Sequence, residues 1–226
     1  MAYTHILFDA DGTLFDFQRS ERQSVERFFH AHGLTFSGEF YALFHRINDR
    51  YWLMLEKGQI DKSALLVERF REFLSVMGLP GWDPAACNQE YLSYLGECAF
   101  LMEGAEEICR YLSERYELAL VTNGISRVQH NRLSLSPLGP YIGTVVVSED
   151  AGFSKPETGY FDYAFWQMGS PSPNSCLIVG DSLLADIGGG AAYGLDSCWY
   201  NPKGRSEGTI HPTYQIGNLL ELRSFL

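Results

Sequence analysis

The stretch ILFDADGT, residues 6–13, decides how the rest of this 226-residue sequence is interpreted. Three apolar residues, typical of a short buried strand, run directly into two aspartates, Asp9 and Asp11. Two carboxylates so close together at the end of a strand repel each other unless a cation offsets their charge. The stretch therefore predicts that a positively charged group binds where the first strand ends.

Composition narrows the classes of protein to which the chain can belong. A formal net charge of -11 argues against binding to nucleic acid polymers, although a small anion remains possible where a metal or a lysine reverses the local field. No apolar run reaches the roughly 18 residues that span a bilayer, and the N-terminus MAYTHILFDA does not resemble a secretory signal. The 5 cysteines form no C-x-x-C pair, which indicates reduced thiols. We expect a cytoplasmic protein without a membrane partner.

The hydrophobic pattern changes character twice along the chain. Residues 17–100 show apolar positions at helical spacing and no convincing strand. Before and after that block, short apolar strands alternate with helices, which favours a parallel sheet covered on both faces. The predicted strands are Tyr3–Phe8, Leu118–Val121, Thr144–Val147, Cys176–Val179 and Ser197–Tyr200. The sequence thus predicts an α/β core of residues 1–16 and 101–226, with residues 17–100 inserted as a helical domain.

Polar side chains follow several of these strands directly. In open parallel sheets, ligands bind beyond the carboxyl ends of the strands, so these side chains should converge on one pocket. Besides the two aspartates of the first strand, the candidates are Thr122, Asn123, Gly124, Lys155, Asp181 and Asp186.

Carboxylate oxygens without an accompanying histidine or cysteine set favour Mg²⁺. The ion would take a carboxylate oxygen of Asp9, the backbone carbonyl of Asp11, and Asp181. With Lys155 beside it, the pocket would attract phosphate. An ionised Asp9 could then attack phosphorus in line to give an aspartyl-phosphate. Asp11 would protonate the departing alkoxide and later accept a proton from the hydrolytic water.

Four further residues complete the candidate site. Thr122 and the backbone N–H of Asn123 can hold phosphoryl oxygens, and Gly124 belongs to the same substrate-binding turn. Asp186 lies on the metal side, where it binds through a water molecule or orients another group. An ordinary charge at a helix N-terminus is the alternative interpretation of Asp186.

These segments are similar to the four motifs of the haloacid dehalogenase-like (HAD) hydrolases. DADGT resembles the first motif, LVTNG the second, SKPE the third and VGDSLLAD the fourth, and all four occur in the family's order. The resemblance implies a Rossmann-like core, Asp9 as nucleophile and Asp11 as acid/base. It also implies that the helical insertion is an α-helical cap of the C1 type. Since Asp11 is present, phosphoryl transfer is favoured over dehalogenation.

Within the family, the segments DADGTLFDF, TNG…VQHNRL and SEDAGFSKPETGYFDYAF look most like nucleotidases acting on pyrimidine and noncanonical nucleoside monophosphates. The expected substrate is therefore a small phosphorylated metabolite, handled by a monomer or homodimer. A sugar-phosphate phosphatase or a β-phosphoglucomutase-like mutase stays open. A phosphonate hydrolase using Lys57 or Lys62, and a phosphate-sensing protein without catalysis, are weaker alternatives.

Overall fold

The computed structural model describes residues 3–206 and 208–226. The chain divides into two compact units, of which one combines Met1–Phe17 with Ala99–Leu226 and the other is Gln18–Cys98. In the part of the chain that is described, no helix is both long enough and apolar enough to cross a membrane.

The first unit is built on a six-stranded sheet. Its strands are β1 (His5–Phe8), β2 (Glu117–Thr122), β3 (Thr144–Val147), β4 (Cys176–Gly180), β5 (Asp196–Tyr200) and β6 (Tyr214–Ile216). They are parallel throughout and lie in the spatial order β3-β2-β1-β4-β5-β6. Strand β1 is central, with His5 opposite Glu117 on one side and Cys176 on the other. The ends of β1, β2 and β4 therefore lie side by side.

Helices cover both faces of this sheet, as the sequence predicts. In the first unit these are α5 (Ala105–Ser113), α6 (Ser126–Leu135), the short α7 (Ser148–Ala151), α8 (Thr158–Gln167) and α9 (Gly189–Tyr193). On β1, Ile6 and Phe8 face a core that includes α5, whereas Leu7 faces a second core built on α8. Burial on both faces explains why the central strands are continuously apolar. The predicted α/β class is confirmed.

The second unit is entirely helical. Its helices are α1 (Phe17–Ala31, beginning one residue before the unit), α2 (Gly38–Glu56), α3 (Lys62–Val76) and α4 (Pro84–Gly96). Side chains cap three of them, since Ser37, Asp61 and Asp83 accept from backbone N–H groups of the first turns. Aromatic rings at helical spacing, among them Phe44 and Phe70, form its core.

Apart from shifts of one residue at the strand ends, the structure departs from the predicted elements most clearly in three places. Strand β1 begins at His5 instead of Tyr3. A sixth strand, Tyr214–Ile216, was not predicted, because three residues give no readable alternation. Between β4 and α9 lies a π-helical segment, Leu183–Gly188, which the sequence does not predict, so helical structure starts close to the end of β4. This last difference changes where Asp186 lies.

Candidate active site

Three carboxylates meet beyond the ends of β1 and β4. Oxygens of Asp9, Asp181 and Asp186 all lie within 4.8 Å of one another. Burial is the main reason that the pKa of Asp9 is raised well above its ordinary range, and repulsion from the other two carboxylates adds to it. Burial and the charge of Asp186 raise the pKa of Asp181 to about 6. The cluster thus favours the binding of a proton or a cation.

Lys155 supplies one of the charges that offset this repulsion. Its ammonium donates to Asp9 Oδ1 at 2.7 Å, to Asp186 Oδ1 at 2.6 Å and to the Val121 carbonyl at 2.8 Å. The side chain is only 1% exposed, and burial alone would lower its pKa. Attraction to Asp186 and Asp9 outweighs burial and raises that pKa, so Lys155 is charged at neutral pH.

Asn123 fixes the backbone of Lys155. Its amide nitrogen donates to the Lys155 carbonyl at 2.8 Å, and its amide oxygen accepts from the Lys155 N–H at 2.7 Å. This reciprocal pair ties the end of β2 to the lysine loop. The Asn123 side chain therefore positions the lysine, while phosphate binding by the Asn123 backbone N–H stays a prediction.

The turn after β2 is tightly organised. Thr122 is buried and its hydroxyl oxygen accepts from the Gly124 N–H at 3.0 Å. A Cβ at position 124 would come within 2.2 Å of the Gln129 side-chain amide, so a larger residue there would displace that side chain. The N–H of Gly124 is thus engaged inside the turn, and its predicted contact with substrate remains a prediction, as does the one expected for Thr122.

Asp186 lies deeper in the site than the sequence indicated. One of its oxygens accepts from Lys155, and the other accepts from the Ser182 N–H at 3.0 Å. A Cβ at Gly180 would overlap the Asp186 carboxyl, so the glycine that ends β4 makes room for it. Asp186 is buried in the first turn of the π-helical segment. Its contacts suit a group that orients Lys155 better than a solvated charge at a helix end.

Asp181 is held through its backbone. Its carbonyl accepts from the Trp199 indole at 3.0 Å and from Arg205 Nη2 at 2.7 Å. The Arg205 guanidinium lies 3.5 Å from the Asp181 carboxylate and over the Trp199 ring. Gly12 adopts φ +87°, and a Cβ there would come within 3.0 Å of the Asp181 carboxyl. These contacts fix Asp181 beside the loop that follows Asp9.

Asp11 has partners that sequence reasoning missed. Its carboxylate accepts from Gln129 Nε2 at 2.5 Å and forms an ion pair with Arg132, and both partners lie on α6. In the sequence, the segment VQHNRL carries a resemblance to nucleotidases, which does not by itself predict that positions 129 and 132 reach the site. Its spacing held a usable signal, because residues three apart share one face of a helix, and this helix directly follows the candidate phosphate turn.

The donor set fits Mg²⁺. The three clustered groups are all carboxylates, and magnesium binds oxygen ligands in preference to nitrogen or sulfur. Three acidic groups against one ammonium leave the cluster negative, so a divalent ion would complete its neutralisation. Such a site, with a carboxylate that could act as nucleophile and an ammonium beside it, is suited to binding and attacking a phosphoryl group.

Comparison with known proteins places these features in a family. The model of the haloacid dehalogenase-like hydrolases matches residues 3–194. The HAD-hydrolase YfnB of Bacillus subtilis is 37% identical over 225 residues, covering 99% of this chain and 95% of YfnB. The pyrimidine 5′-nucleotidase YjjG of Escherichia coli is 31% identical over 227 residues, covering 100% and 99% respectively. PynA of Streptococcus pneumoniae, also a pyrimidine 5′-nucleotidase, is 33% identical over 224 residues, covering 98% and 94%.

The fold agrees with the sequence matches. The crystal structure of YfnB bound to magnesium matches with a TM-score of 0.95 at 36% identity, covering 100% of this chain and 99% of that one. Four motifs in order, a sheet that brings their carboxylates and lysine together, and a family model that matches most of the chain agree with one another. The chain belongs to the haloacid dehalogenase-like hydrolases and is related to the pyrimidine 5′-nucleotidases.

Proposed function

We propose that this protein is a magnesium-dependent phosphatase that hydrolyses nucleoside 5′-monophosphates with pyrimidine or noncanonical bases. The observation that carries the proposal is the buried contact between Lys155 and two members of the carboxylate cluster, Asp9 and Asp186. The nucleotide substrate is supported by the similarity to YjjG and PynA over nearly the whole chain.

Asp9, Asp181 and the backbone carbonyl of Asp11 would hold Mg²⁺, with Asp186 acting through water or by orienting a neighbour. When bound, the ion would withdraw charge from the phosphoryl oxygens and offset the repulsion among the carboxylates. Lys155 would bind a phosphoryl oxygen by giving up one of its three hydrogen bonds, since its ammonium has three N–H donors and all of them are engaged. Thr122 and the Asn123 N–H would take the remaining oxygens.

The residues divide the reaction into two displacements. A bond forms between an Asp9 carboxylate oxygen and phosphorus as the bond from phosphorus to the 5′ oxygen breaks, and Asp11, protonated in the substrate complex, gives that oxygen its proton. Asp11 then takes a proton from water, whose oxygen attacks phosphorus and releases Asp9 and inorganic phosphate. We further propose that the helical unit Gln18–Cys98 is a cap that excludes bulk water during both steps.

A substrate panel tests this function. The purified protein is incubated with pyrimidine, purine and base-modified nucleoside 5′-monophosphates and with sugar phosphates, with Mg²⁺ or with a chelator. We expect phosphate release that needs Mg²⁺ and is fastest with pyrimidine or modified nucleotides. Isomerisation of a hexose phosphate in the presence of its bisphosphate would identify a mutase instead. Failure to release phosphate from any ester would contradict the proposal.

Magnesium should stabilise the protein more at pH 8 than at pH 5. Burial raises the folded-state pKa of Asp9 and raises that of Asp181 to about 6, so protonation stabilises the metal-free protein at low pH, and the contribution of Asp181 is lost as pH rises through about 6. Above that pH, Mg²⁺ replaces the proton. At a concentration of 100 times its Kd, the ion should add roughly 2.7 kcal/mol. Thermal melts with MgCl₂ or NaCl of equal ionic strength measure this.

Asp181→Asn is the matched control for the melts, since it removes one carboxylate of the cluster and should reduce the magnesium effect at pH 8. Equal stabilisation of the natural protein at both pH values would show that Mg²⁺ binds elsewhere.

A further inference from the structure

The helix α6 carries two buried polar side chains that converge on a single carboxylate. Gln129 and Arg132 lie three residues apart, which places them on the same face of the helix. Both are almost completely buried, and each donates to a different oxygen of Asp11. Two donors on two oxygens fix both the direction and the plane of the carboxyl group.

The Asp11 carboxyl remains able to transfer a proton in this arrangement. Each carboxylate oxygen can accept more than one hydrogen bond, so a donor on each leaves a lone pair that can bind the proton that Asp11 later gives to the leaving oxygen. The Asp11 side chain is 26% exposed, whereas that of Arg132 is 0% exposed. The Asp11 carboxyl group is therefore hydrogen-bonded on its buried side and accessible to solvent on the other.

The loop that bears Asp11 also holds the arginine. The Arg132 guanidinium lies 4.5 Å from the centre of the Phe15 ring, a cation–π contact. Phe15 is buried, and its carbonyl accepts from the Gly12 N–H at 2.9 Å, which closes the loop just after Asp11. The arginine thus contacts both the carboxylate and the loop that presents it.

Gln129 destabilises the folded state in a way that an apolar side chain at this position would not. Its amide oxygen is buried and has no hydrogen-bond partner among the described residues. A buried polar atom left unpaired destabilises the folded state, and an apolar side chain here would remove that destabilisation. Gly124, which has no Cβ to clash, makes the space for this glutamine. The two features make sense together if the Gln129 N–H group is needed at Asp11.

We propose that Gln129 and Arg132 are positioning residues that orient Asp11 for proton transfer to the leaving oxygen. The proposal rests on the function proposed above, in which Asp11 is the acid/base. The proposal predicts a selective defect. Variants of Gln129 or Arg132 should lose the most kcat/KM with substrates whose leaving group needs a proton.

The test compares kcat/KM for two phosphate esters, because this ratio covers the steps up to departure of the leaving group. A nucleoside 5′-monophosphate releases a basic alkoxide, whereas p-nitrophenyl phosphate releases an anion that is stable without a proton. General acid catalysis contributes about 10²–10⁴-fold, so Gln129→Met should lower kcat/KM for the nucleotide by about 10- to 100-fold. For p-nitrophenyl phosphate we expect a loss below about threefold, because that leaving group hardly uses the acid.

Several variants make the result specific. His130→Gln changes an exposed neighbour on the same helix and should leave both ratios unchanged. Arg132→Lys should retain more nucleotide turnover than Arg132→Met, since it keeps the charge. In an Asp11→Asn background, Gln129→Met should cause no further selective loss, because the group that it orients is already gone. Melting temperatures and circular dichroism establish that each variant folds.

The outcomes separate the two proposals. No turnover of either ester by the natural protein would overturn the phosphatase function and this inference with it. Turnover by the natural protein with equal losses for both esters in Gln129→Met, or with no loss, would overturn the positioning role alone. If Arg132→Met does not fold, Gln129→Met still decides, because it removes no charge.

Discussion

Asp9→Asn is expected to lower phosphate release by roughly 10⁴- to 10⁶-fold, the scale of loss when a residue of a catalytic set is removed. The amide is nearly the same size as the carboxyl but does not attack phosphorus. The fold should persist, because the change adds no bulk and removes one of three crowded, buried acids. Colourimetric phosphate release under saturating Mg²⁺ measures the loss.

The control for this variant is Asp150→Asn, which alters an exposed aspartate on α7. Acid-quenched natural protein should also carry a phosphoryl group on the peptide that contains Asp9, detectable by mass spectrometry, and the variant should not. Turnover in Asp9→Asn at the rate of the natural protein would rule out the proposed aspartyl-phosphate.

Lys155→Met is expected to remove activity. It should also lower the free energy of unfolding by about 3–5 kcal/mol at pH 8, because it leaves buried carboxylates without their positively charged partner. The variant leaves Asp9 and Asp186 without the ammonium that contacts both. Without it, the pKa of Asp9, which burial already raises, should rise further, so the folded state should gain stability as pH falls and Asp9 takes up a proton. The destabilisation should therefore be smaller at pH 5.

Chemical denaturation of both proteins at pH 5 and pH 8 measures this difference. Lys203→Met removes a lysine from an exposed position and should change neither stability nor activity. Because Mg²⁺ can replace part of the missing charge, it should narrow the gap between Lys155→Met and the natural protein. A cost that does not change with pH would mean that the lysine stabilises the fold mainly by packing.

The sequence predicted the convergence of Asp9, Lys155 and Asp181 for a general reason. Asp9 and Asp181 directly follow apolar strands, Lys155 lies in the connection that leaves β3, and in a parallel sheet these strand ends lie on one edge. Strand order did not have to be known in detail, since any arrangement with these strands as neighbours brings the groups together. The fold class could be predicted from the same alternation of strands and helices.

The missed residues depend on geometry that no strand end specifies. Whether Gln129 and Arg132 reach Asp11 depends on the rotation of α6 about its axis and on the missing Cβ of Gly124. Arg205 reaches Asp181 from an irregular loop after β5, where the sequence carries no periodic signal. The direct contact of Asp186 with Lys155 depends on a π-helical segment, whose wider turn has no simple sequence pattern.

The central place of β1 in the sheet also has a consequence for synthesis on the ribosome. The strand that leads into Asp9 emerges first, but its two neighbours, Glu117–Thr122 and Cys176–Gly180, are translated much later. Such non-local pairing slows folding, and a nascent chain that stops before Gly180 lacks both the β4 partner and Asp181. The helical residues Gln18–Cys98 are translated in full before either neighbouring strand emerges. Catalytic competence should thus appear only near the end of translation.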